Sequence, residues 1–348
     1  MTPDDLDYFD YPLPPEHIAQ TPAEPRDAAR LLVDEAQHDN PATVTHHIVR
    51  DLPKLLTPGD VLVVNNTRVL PARLPLMKPT GGKAEVLLLQ PAEQPGCWWG
   101  LVKGSKKIAP GTPLFSTTPT SEAGNDIEPV VVVHDDMGEG KRLVEVRGNA
   151  HEMLDAVGEV PLPPYIHTRL DDTERYQTVF AQHPGSVAAP TAGLHLTNQV
   201  LEEIRRSGVP VVEVELQVGL GTFRPVTADR VGDHQMHAER YRVTPESWET
   251  ITAAERVVAV GTTVVRTLES VATHGALEGN TELFIRRGYD WKMVDRLLTN
   301  FHVPKSSLLV MLDAFMGERW RVLYEEALAR NYRFLSFGDA MLVPRVEP

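Results

Sequence analysis

The sequence contains a single cysteine, Cys97, among its 348 residues. One cysteine excludes a disulfide framework within the chain and any metal site built from paired thiolates. The sequence also lacks the run of ~18 or more apolar residues that a membrane helix requires, and its start is acidic where a signal peptide is basic. We therefore expect a cytoplasmic protein without a membrane segment.

Several familiar enzyme motifs are absent as well. The chain has no Gly-x-Ser-x-Gly elbow, no phosphate loop ending in Gly-Lys-Ser or Gly-Lys-Thr, and no His-Glu-x-x-His pair. The segment from Gly219 to Arg224 is not a dinucleotide fingerprint, because Arg224 occupies the place of the third glycine. These absences remove the common assignments that rest on a single motif.

Positive charge is scarce, because 34 lysines and arginines face 48 acidic residues and give a net charge of −14. Such a chain repels polyanions at long range, which disfavours nonspecific coating of nucleic acid but still allows specific binding through a local basic patch. We predict one basic face, drawing on Arg68, Arg73, Lys103, Lys106 and Lys107. The alternative for the three lysines is a solvated turn at a strand edge.

The pattern of apolar runs predicts two domains. The β-branched run Val61 to Val64 and the run Arg256 to Val260 are typical of buried strands in an α/β protein. We predict an α/β core domain with a mixed sheet, formed by residues 1–68 and 151–348. Residues 69–150 contain short apolar runs separated by glycine, proline and a polar tract, which predicts an inserted small all-β, barrel-like domain.

Three polar loops lie where such folds bind ligands. Asn65 to Arg68 directly follow a buried strand, although two asparagines also suit a turn that satisfies its own backbone. Gly261 to Thr263 connect a strand to a helix N-terminus, which is a natural anion site, and Arg266 lies one turn further on. Ser186 to His195 contain four alanines or glycines, which indicates either close approach to a ligand or a tight packing corner.

The segment from Asp233 to Glu239 gathers four ionisable residues within seven positions. If the segment is extended, His237 and Glu239 share a face, and if it is helical, His234 and His237 do. The His-x-x-His spacing permits a metal pair, but no third ligand is evident. Acid–base chemistry and a polar surface strand are the two other interpretations.

Taken together, these segments resemble one family, the S-adenosylmethionine:tRNA ribosyltransferase-isomerases of queuosine biosynthesis. The resemblance covers essentially the whole chain in order, in Arg26 to Leu32, Gly59 with Asp60 and Asn65 to Leu74, Pro161 to Ile166, Tyr176 to Val179, Ser186 to His195, Val218 to Phe223, Met236 to Glu239, Val260 to Ser270, Thr299 to Ser306 and Tyr332 to Met341.

The resemblance implies a reaction. The ribosyl part of S-adenosylmethionine is transferred to 7-aminomethyl-7-deazaguanine in the wobble position of tRNA, which leaves epoxyqueuosine and releases adenine and methionine. The family mechanism begins with removal of a proton beside the sulfonium, and loss of adenine, attack by the amine of the base and closure to the epoxide follow. The resemblance implies no metal and no cofactor besides S-adenosylmethionine as co-substrate, and we expect a monomer.

Residue chemistry and the resemblance together predict the site. His237 or Glu239 is the candidate base, and His302 or His195 the candidate acid. The predicted substrate-binding residues are Asn65, Asn66, Thr67, Arg68, Arg73, Pro190, Thr191, Gly193, Gly219, Gly221, Thr222, Gly261, Thr262, Thr263, Arg266, Asn300, Lys305, Phe334 and Asp339. Phe334 and its neighbours suit stacking on a base, with an aromatic core as the alternative.

Two positions depart from the family pattern. Gln217 stands where members usually carry histidine, and Asp313 where they usually carry serine. Glutamine does not exchange protons near neutral pH, so no acid–base role transfers to position 217. Two alternatives from other functional classes are an S-adenosylmethionine-dependent enzyme acting on a small molecule and a catalytically silent tRNA-binding protein.

Overall fold

The computed structural model describes residues 2–35, 44–117, 128–138, 140–219 and 230–346. It divides the chain into two units. The core unit comprises Met1–Arg68, Pro163–His183 and Ala189–Pro348, and the barrel unit comprises Val69–Leu162 and Pro184–Ala188. The sequence places the end of the inserted segment at residue 150, whereas the compact unit continues to Leu162.

The barrel unit is a closed, six-stranded, antiparallel barrel in the order β10-β7-β6-β5-β8-β9. Its strands are β5 (Arg73–Met77), β6 (Lys83–Pro91), β7 (Cys97–Lys103), β8 (Thr112–Ser116), β9 (Val131–Asp136) and β10 (Lys141–Val146). Alternate residues point inward, as Trp98, Gly100 and Val102 do on β7. Helix α2 (Ala150–Val157) buries Met153 and Leu154 in the same apolar cluster as the barrel strands, which explains why this unit extends beyond residue 150.

The core unit is organised around a nine-stranded mixed sheet in the order β15-β13-β12-β3-β14-β16-β17-β1-β2. Its strands are β1 (Arg30–Asp34), β2 (Val44–Ile48), β3 (Asp60–Asn65), β12 (Val211–Leu216), β13 (Glu239–Arg242), β14 (Arg256–Val260), β15 (Glu278–Thr281), β16 (Arg296–Asn300) and β17 (Ala340–Pro344). Two further short strands, β4 (Thr67–Val69) and β11 (His183–Ser186), lie where the chain passes between units. The sheet and the barrel confirm the predicted fold class.

The central strands are buried on both faces, as their sequences predict. Every residue of β3 is buried, and β3 lies between β12 and β14 with parallel pairing to both. A continuous β-branched run suits this position because neither face meets water. The pairs Leu62 with Val258 and Val63 with Val212 fix the register of the three strands.

The described part of the core unit contains six helices, three of which are capped by a side chain. They are α1 (Leu52–Leu55), α3 (Asn198–Arg206), α4 (Pro245–Ala253), α5 (Thr262–His274), α6 (Ser307–Met316) and α7 (Arg319–Ala329). The side chain of Thr197 caps α3 and that of Thr244 caps α4. Each hydroxyl accepts a backbone N–H that the first helical turn leaves without a partner.

Candidate active site

Four parallel strands of the core unit end at the same edge of the sheet. β12, β3, β14 and β16 are neighbours in that order and run parallel to one another. Their carboxyl ends therefore bring the segments after Leu216, Asn65, Val260 and Asn300 to one edge. Ligands of open α/β sheets bind in crevices outside this edge.

A cavity lies at this edge, beside the first turn of α5. Its volume is about 40 Å³, well below the roughly 300–1,000 Å³ typical of ligand pockets. Its walls are mainly apolar, and a few polar groups converge on it. The lining residues are Met236, Glu239, Thr262, Thr263, Arg266, Leu283, Phe284, Ile285, Ser307, Leu308 and Met311.

The N-terminus of α5 forms one wall of the cavity and has no side-chain cap. The side chains of Asn149, Thr197, Thr244 and Ser306 cap α2, α3, α4 and α6, whereas α1 and α7 lack a side-chain cap, as α5 does. The N-cap residue of α5 is Gly261 at φ +88°, and the buried hydroxyl of Thr263 has no hydrogen-bond partner among the described residues. The first turn of α5 therefore offers donors and a positive dipole end toward the cavity.

A buried ion pair between Glu239 and Arg266 forms the polar part of the cavity wall. One carboxylate oxygen of Glu239 accepts from Arg266, and the other accepts from the backbone N–H of Gly219 at 2.9 Å. Arg266 also donates to the carbonyl oxygens of Leu283 and Thr281, at 3.1 and 3.3 Å. Burial lowers the pKa of Arg266 to about 10, so the guanidinium is charged at neutral pH. The structure thus brings together three predicted site residues.

Asn300 links Thr191 to His195 in a buried chain of hydrogen bonds. Its side-chain oxygen accepts from the Thr191 hydroxyl at 2.8 Å, and its amide nitrogen lies 3.0 Å from Nε2 of His195. An amide nitrogen can only donate, so Nε2 accepts and the neutral ring carries its proton on Nδ1. Burial is the main cause that lowers the pKa of His195 to about 4, so the ring is neutral at pH 7.

His302 is also buried and neutral. Its Nε2 lies 3.1 Å from the hydroxyl of Thr299, and its backbone N–H donates to the Tyr324 hydroxyl at 2.8 Å. Burial lowers the pKa of His302 to about 3. Neither His195 nor His302 therefore holds the extra proton that a cationic acid donates at neutral pH.

The loop from Ser186 to His195 contains a packing corner. Pro190 and Gly193 are buried, and Thr191–His195 form a 3-10 helix. A Cβ at Gly193 would lie 2.7 Å from Cζ of Phe180 and 3.1 Å from Cγ2 of Thr178, so close packing requires glycine here. A Cβ at Gly261 would lie 3.6 Å from that of Ala192, which places this loop against the start of α5.

The asparagines after β3 are held by neighbouring groups. Asn65 accepts from the backbone N–H groups of Thr67 and Leu216 and donates to the Leu216 carbonyl, while the Thr67 hydroxyl donates to that same carbonyl. Asn66 donates to Glu213 at 2.9 Å, and its buried side-chain oxygen has no partner among the described residues. Asn65 and Thr67 thus join β3 to β12, and Asn66 keeps one acceptor free.

Two cations predicted to bind substrate have acidic partners. Arg68 pairs with Glu174, and Nζ of Lys305 lies 2.7 Å from Asp7 and 3.0 Å from Asp10. Hydrogen bonds to Asp7 and Asp10 raise the pKa of Lys305. Neither cation belongs to the cavity lining.

Asp339 and Phe334 lie in the protein interior. Asp339 accepts from the backbone N–H groups of Arg30 and Arg333, at 2.9 and 2.8 Å. Phe334 is completely buried, and its ring centroid lies 4.7 Å from that of Phe301. A ring packed in this way has no free face for a base, so the structure places Phe334 in an aromatic core and not in a stacking position.

The remaining predicted substrate-binding residues are Arg73, Gly221 and Thr222. Arg73 belongs to the barrel unit, where its guanidinium donates to the Leu162 carbonyl at 3.4 Å. Gly221 and Thr222 lie outside the described residues.

The histidines before β13 are not equivalent. His237 is exposed and is not a lining residue, whereas the ring of His234 contacts Phe284 edge to face at 5.2 Å between centroids. Burial lowers the pKa of His234, and the charge of His237 adds to this effect. Among the described residues, no three histidine, cysteine or acidic side chains are grouped as metal ligands.

The apolar walls were not predicted as site residues. Leu283, Phe284 and Ile285 follow β15, while Leu308 and Met311 belong to α6. In the sequence these residues look like ordinary core residues. Only the packing of their segments beside α5 shows that they line the cavity. Met236 is the exception, because it lies inside the matched segment Met236 to Glu239.

Asp313 is held by groups of this chain. The guanidinium of Arg287 donates to both carboxylate oxygens, at 2.8 and 3.0 Å, and the indole N–H of Trp320 donates at 3.1 Å. A buried carboxylate is tolerated here because a cation and an indole satisfy it. Gln217 is partly buried, and its backbone N–H donates to the Arg240 carbonyl at 2.9 Å.

Within the described ranges, no helix is long and apolar enough to cross a membrane.

Comparisons with known proteins agree with one another. A sequence model of the family described as queuosine biosynthesis protein matches residues 6–343. The chain is 48% identical over 338 residues to the S-adenosylmethionine:tRNA ribosyltransferase-isomerase of Rubrobacter xylanophilus, covering 97% of each chain. It is 50% identical over 350 residues to that of Thermus thermophilus, covering 97% of this chain and 99% of the relative.

A solved structure is also similar to this chain. The crystal structure of S-adenosylmethionine tRNA ribosyltransferase from Thermotoga maritima matches with a TM-score of 0.53 and 33% sequence identity. The match covers 96% of this chain and 99% of that one.

Proposed function

The chain belongs to the S-adenosylmethionine:tRNA ribosyltransferase-isomerase family, and on that premise we propose how its residues carry out the reaction. The proposed enzyme transfers and isomerises the ribosyl group of S-adenosylmethionine onto 7-aminomethyl-7-deazaguanine in the wobble position of tRNA. Epoxyqueuosine-tRNA, adenine and methionine are the products. The proposal includes a cytoplasmic location, which a tRNA substrate supports, and it includes no metal or further cofactor.

The observation that carries this proposal is the cavity at the start of α5. It combines an uncapped helix N-terminus, a buried ion pair and apolar walls. S-adenosylmethionine has groups that suit each of these: a carboxylate, a sulfonium cation and the adenine ring. All lining residues come from the core unit, and the enzyme is a monomer in this proposal.

The carboxylate of the methionyl group binds at the first turn of α5 in this proposal. Free N–H groups and the helix dipole both favour negative charge there. The unpartnered hydroxyl of Thr263 supplies a further donor, and Thr262 lies beside it in the lining. Gly261, Thr191 and Asn300 hold this turn and the adjacent loop in place.

Replacing Thr263 with valine is expected to weaken S-adenosylmethionine binding roughly tenfold, because a hydrogen bond to a charged group is lost while the side-chain shape is kept. Titration calorimetry measures this change. 5′-Methylthioadenosine, which lacks the carboxylate, should bind the variant as well as the wild type. Thr273→Val, at the other end of α5, is the matched control. Equal losses for both ligands would contradict the assignment.

Glu239 acts as the base in this proposal. It is the carboxylate in the cavity lining, whereas His237 is exposed and outside it. Each oxygen of Glu239 already accepts one hydrogen bond, and a carboxylate oxygen has a second lone pair for the proton removed beside the sulfonium. Arg266 is a positioning residue, because its hydrogen bond fixes the carboxylate.

His195 and His302 act as neutral positioning groups. Burial lowers both pKa values well below neutral pH, so a role as cationic acid has no physical basis in this arrangement. His195 instead orients Asn300, and Asn300 orients Thr191. His302 connects the segment after β16 to Tyr324 of α7.

The reaction itself separates the proposed function from its alternatives. Wild-type protein incubated with S-adenosylmethionine and tRNA carrying the precursor base is expected to release adenine and methionine, which chromatography measures. Release without tRNA would favour an enzyme acting on a small molecule. Binding of tRNA without release would favour a silent tRNA-binding protein. Either outcome would contradict the proposed function.

A further inference from the structure

The lysines of this chain are concentrated in the barrel unit. The chain has nine lysines, and six of them lie between residues 78 and 141. We name these six the lysine rim: Lys78, Lys83, Lys103, Lys106, Lys107 and Lys141. Such clustering stands out in a chain whose net charge is −14.

Strand register places the whole rim at one end of the barrel. Lys83 begins β6 opposite Met77, the last residue of β5, and Lys78 follows in the same hairpin. Lys103 ends β7 opposite Glu85 of β6. Lys141 begins β10 opposite Leu101 of β7, and Lys106 and Lys107 lie in the 3-10 turn directly after β7.

The three lysines outside the rim have acidic partners. Nζ of Lys54 lies 2.9 Å from Asp51, that of Lys292 lies 3.6 Å from Asp290, and Lys305 binds Asp7 and Asp10. Among the described residues, no lysine of the rim forms an ion pair. Free ammonium groups at one end of a barrel give a local positive potential that the acidic total does not reveal.

The acidic groups near the rim do not neutralise it. The described carboxylates at this end are Glu85, Asp135 and Asp136, and Asp136 binds the buried Arg142 at 3.3 Å. Glu85 faces Lys103 across the β6–β7 ladder without reaching ion-pair distance. Among the described side chains at this end of the barrel, positive charge therefore exceeds negative charge.

An aromatic side chain lies beside the rim. Alternation along β7 turns Trp98 inward and Trp99 outward, with Leu101 and Lys103 on the same outer face. Nζ of Lys141 lies 5.0 Å from the Trp99 ring centroid. Lysines next to an outward aromatic ring on antiparallel strands suit nucleic acid, which offers both phosphates and stacking faces.

We propose that the lysine rim binds backbone phosphates of tRNA. This inference rests on the proposed function, which supplies a polyanionic substrate, and it assigns the docking surface on the barrel unit. Phosphate contacts orient a nucleic acid without reading its sequence. The rim thus binds tRNA independently of the modified base, and the cavity of the core unit provides the chemistry.

The triple variant K103Q/K106Q/K107Q tests the proposal. These side chains are exposed, so the fold is retained, and circular dichroism checks it. At about 0.1 M salt, the dissociation constant for tRNA is expected to rise roughly tenfold or more, and the slope of log K against log[salt] to shrink by about 2. Filter binding with unmodified tRNA measures both. The KM for tRNA rises, while kcat and S-adenosylmethionine affinity stay unchanged.

The matched control K54Q/R205Q/K292Q removes the same charge from the core unit and is expected to retain the wild-type affinity and salt slope. A rim variant with wild-type affinity and slope would overturn the proposal, as would equal losses in both variants. These results differ from a failure of the proposed function. In that case the wild-type protein releases no adenine, whatever the rim variant does to tRNA binding.

Discussion

Replacing Glu239 with glutamine is expected to lower the rate of adenine release by a factor of about 10² to 10⁴, the usual contribution of a general base. Glutamine keeps the volume of the side chain and removes the negative charge that accepts the proton. It also leaves the buried guanidinium of Arg266 without its counter-charge. The free energy of unfolding is therefore expected to fall by about 3–5 kcal/mol, the range measured when one partner of a buried pair is removed.

Two further variants separate catalysis from stability. His237→Gln removes the competing candidate base and is expected to keep nearly wild-type single-turnover rates, because His237 is exposed outside the cavity lining. The double variant E239Q/R266M removes both buried charges and is expected to recover stability without recovering adenine release. Substantial adenine release by E239Q, measured on folded protein, would remove Glu239 from the mechanism.

Lowering the pH from 7.5 to 5 is expected to reduce the free energy of unfolding by about 4 kcal/mol through His195 and His302. The folded-state pKa values are about 4 and about 3, below the ordinary histidine value of 6.5. Between pH 6.5 and 4 the unfolded chain binds protons at both rings and the folded chain does not. Protons thus favour unfolding, and each ring contributes about 2 kcal/mol by pH 5.

Urea unfolding across this pH range measures the effect. His302→Gln keeps a polar group near Thr299 and removes the titrating ring, so its stability should fall about 2 kcal/mol less than that of the wild type over this range. His195→Gln should behave likewise, because glutamine can still pair with Asn300. His151 is exposed, and His151→Gln should retain the wild-type pH dependence. If the free energy of unfolding depends on pH in the same way for the wild type and all three variants, the burial of neutral histidine rings is contradicted.

Local patterns predicted much of the fold. The run Val61 to Val64 has no polar residue for either face, which identified β3 as a fully buried strand. Thr197 and Thr244 cap α3 and α4, and such caps are recognisable in a sequence because cap chemistry depends only on neighbouring residues. The short apolar runs after residue 69 predicted an all-β unit. Closure into a six-stranded barrel depends on the pairing of distant strands, which no local pattern records.

The site was less predictable, because its contacts join distant parts of the chain. Glu239 was a candidate and Arg266 another, but their pairing spans 27 positions and follows only from the packing of α5 beside β13 and β15. The ionisable character of His195 and His302 suggested acids, and only their burial shows that both rings are neutral. The small residues around Gly193 were compatible with either ligand binding or a tight packing corner. The close approach of Phe180 shows that Gly193 itself serves packing.

Phe334 and Lys305 are two further residues whose partners the sequence does not reveal. An aromatic residue in a polar segment suits stacking on a base, but Phe301 and its aromatic neighbours enclose the ring of Phe334. A lysine in a matched loop suits a phosphate, but Asp7 and Asp10 come from the N-terminal segment almost 300 positions away to bind Lys305. Sequence identifies the chemistry that a side chain can perform, and tertiary structure decides which partner uses it.

Binding of S-adenosylmethionine in the cavity at the start of α5 is the central claim. A crystal structure of the protein with a non-reactive analogue that retains the methionyl carboxylate and a positive charge near the sulfonium position tests it most directly. We predict the carboxylate within hydrogen-bond distance of the Thr263 hydroxyl and the first-turn N–H groups, with the cationic centre facing Glu239. An analogue bound elsewhere, or with its carboxylate away from α5, would contradict the claim.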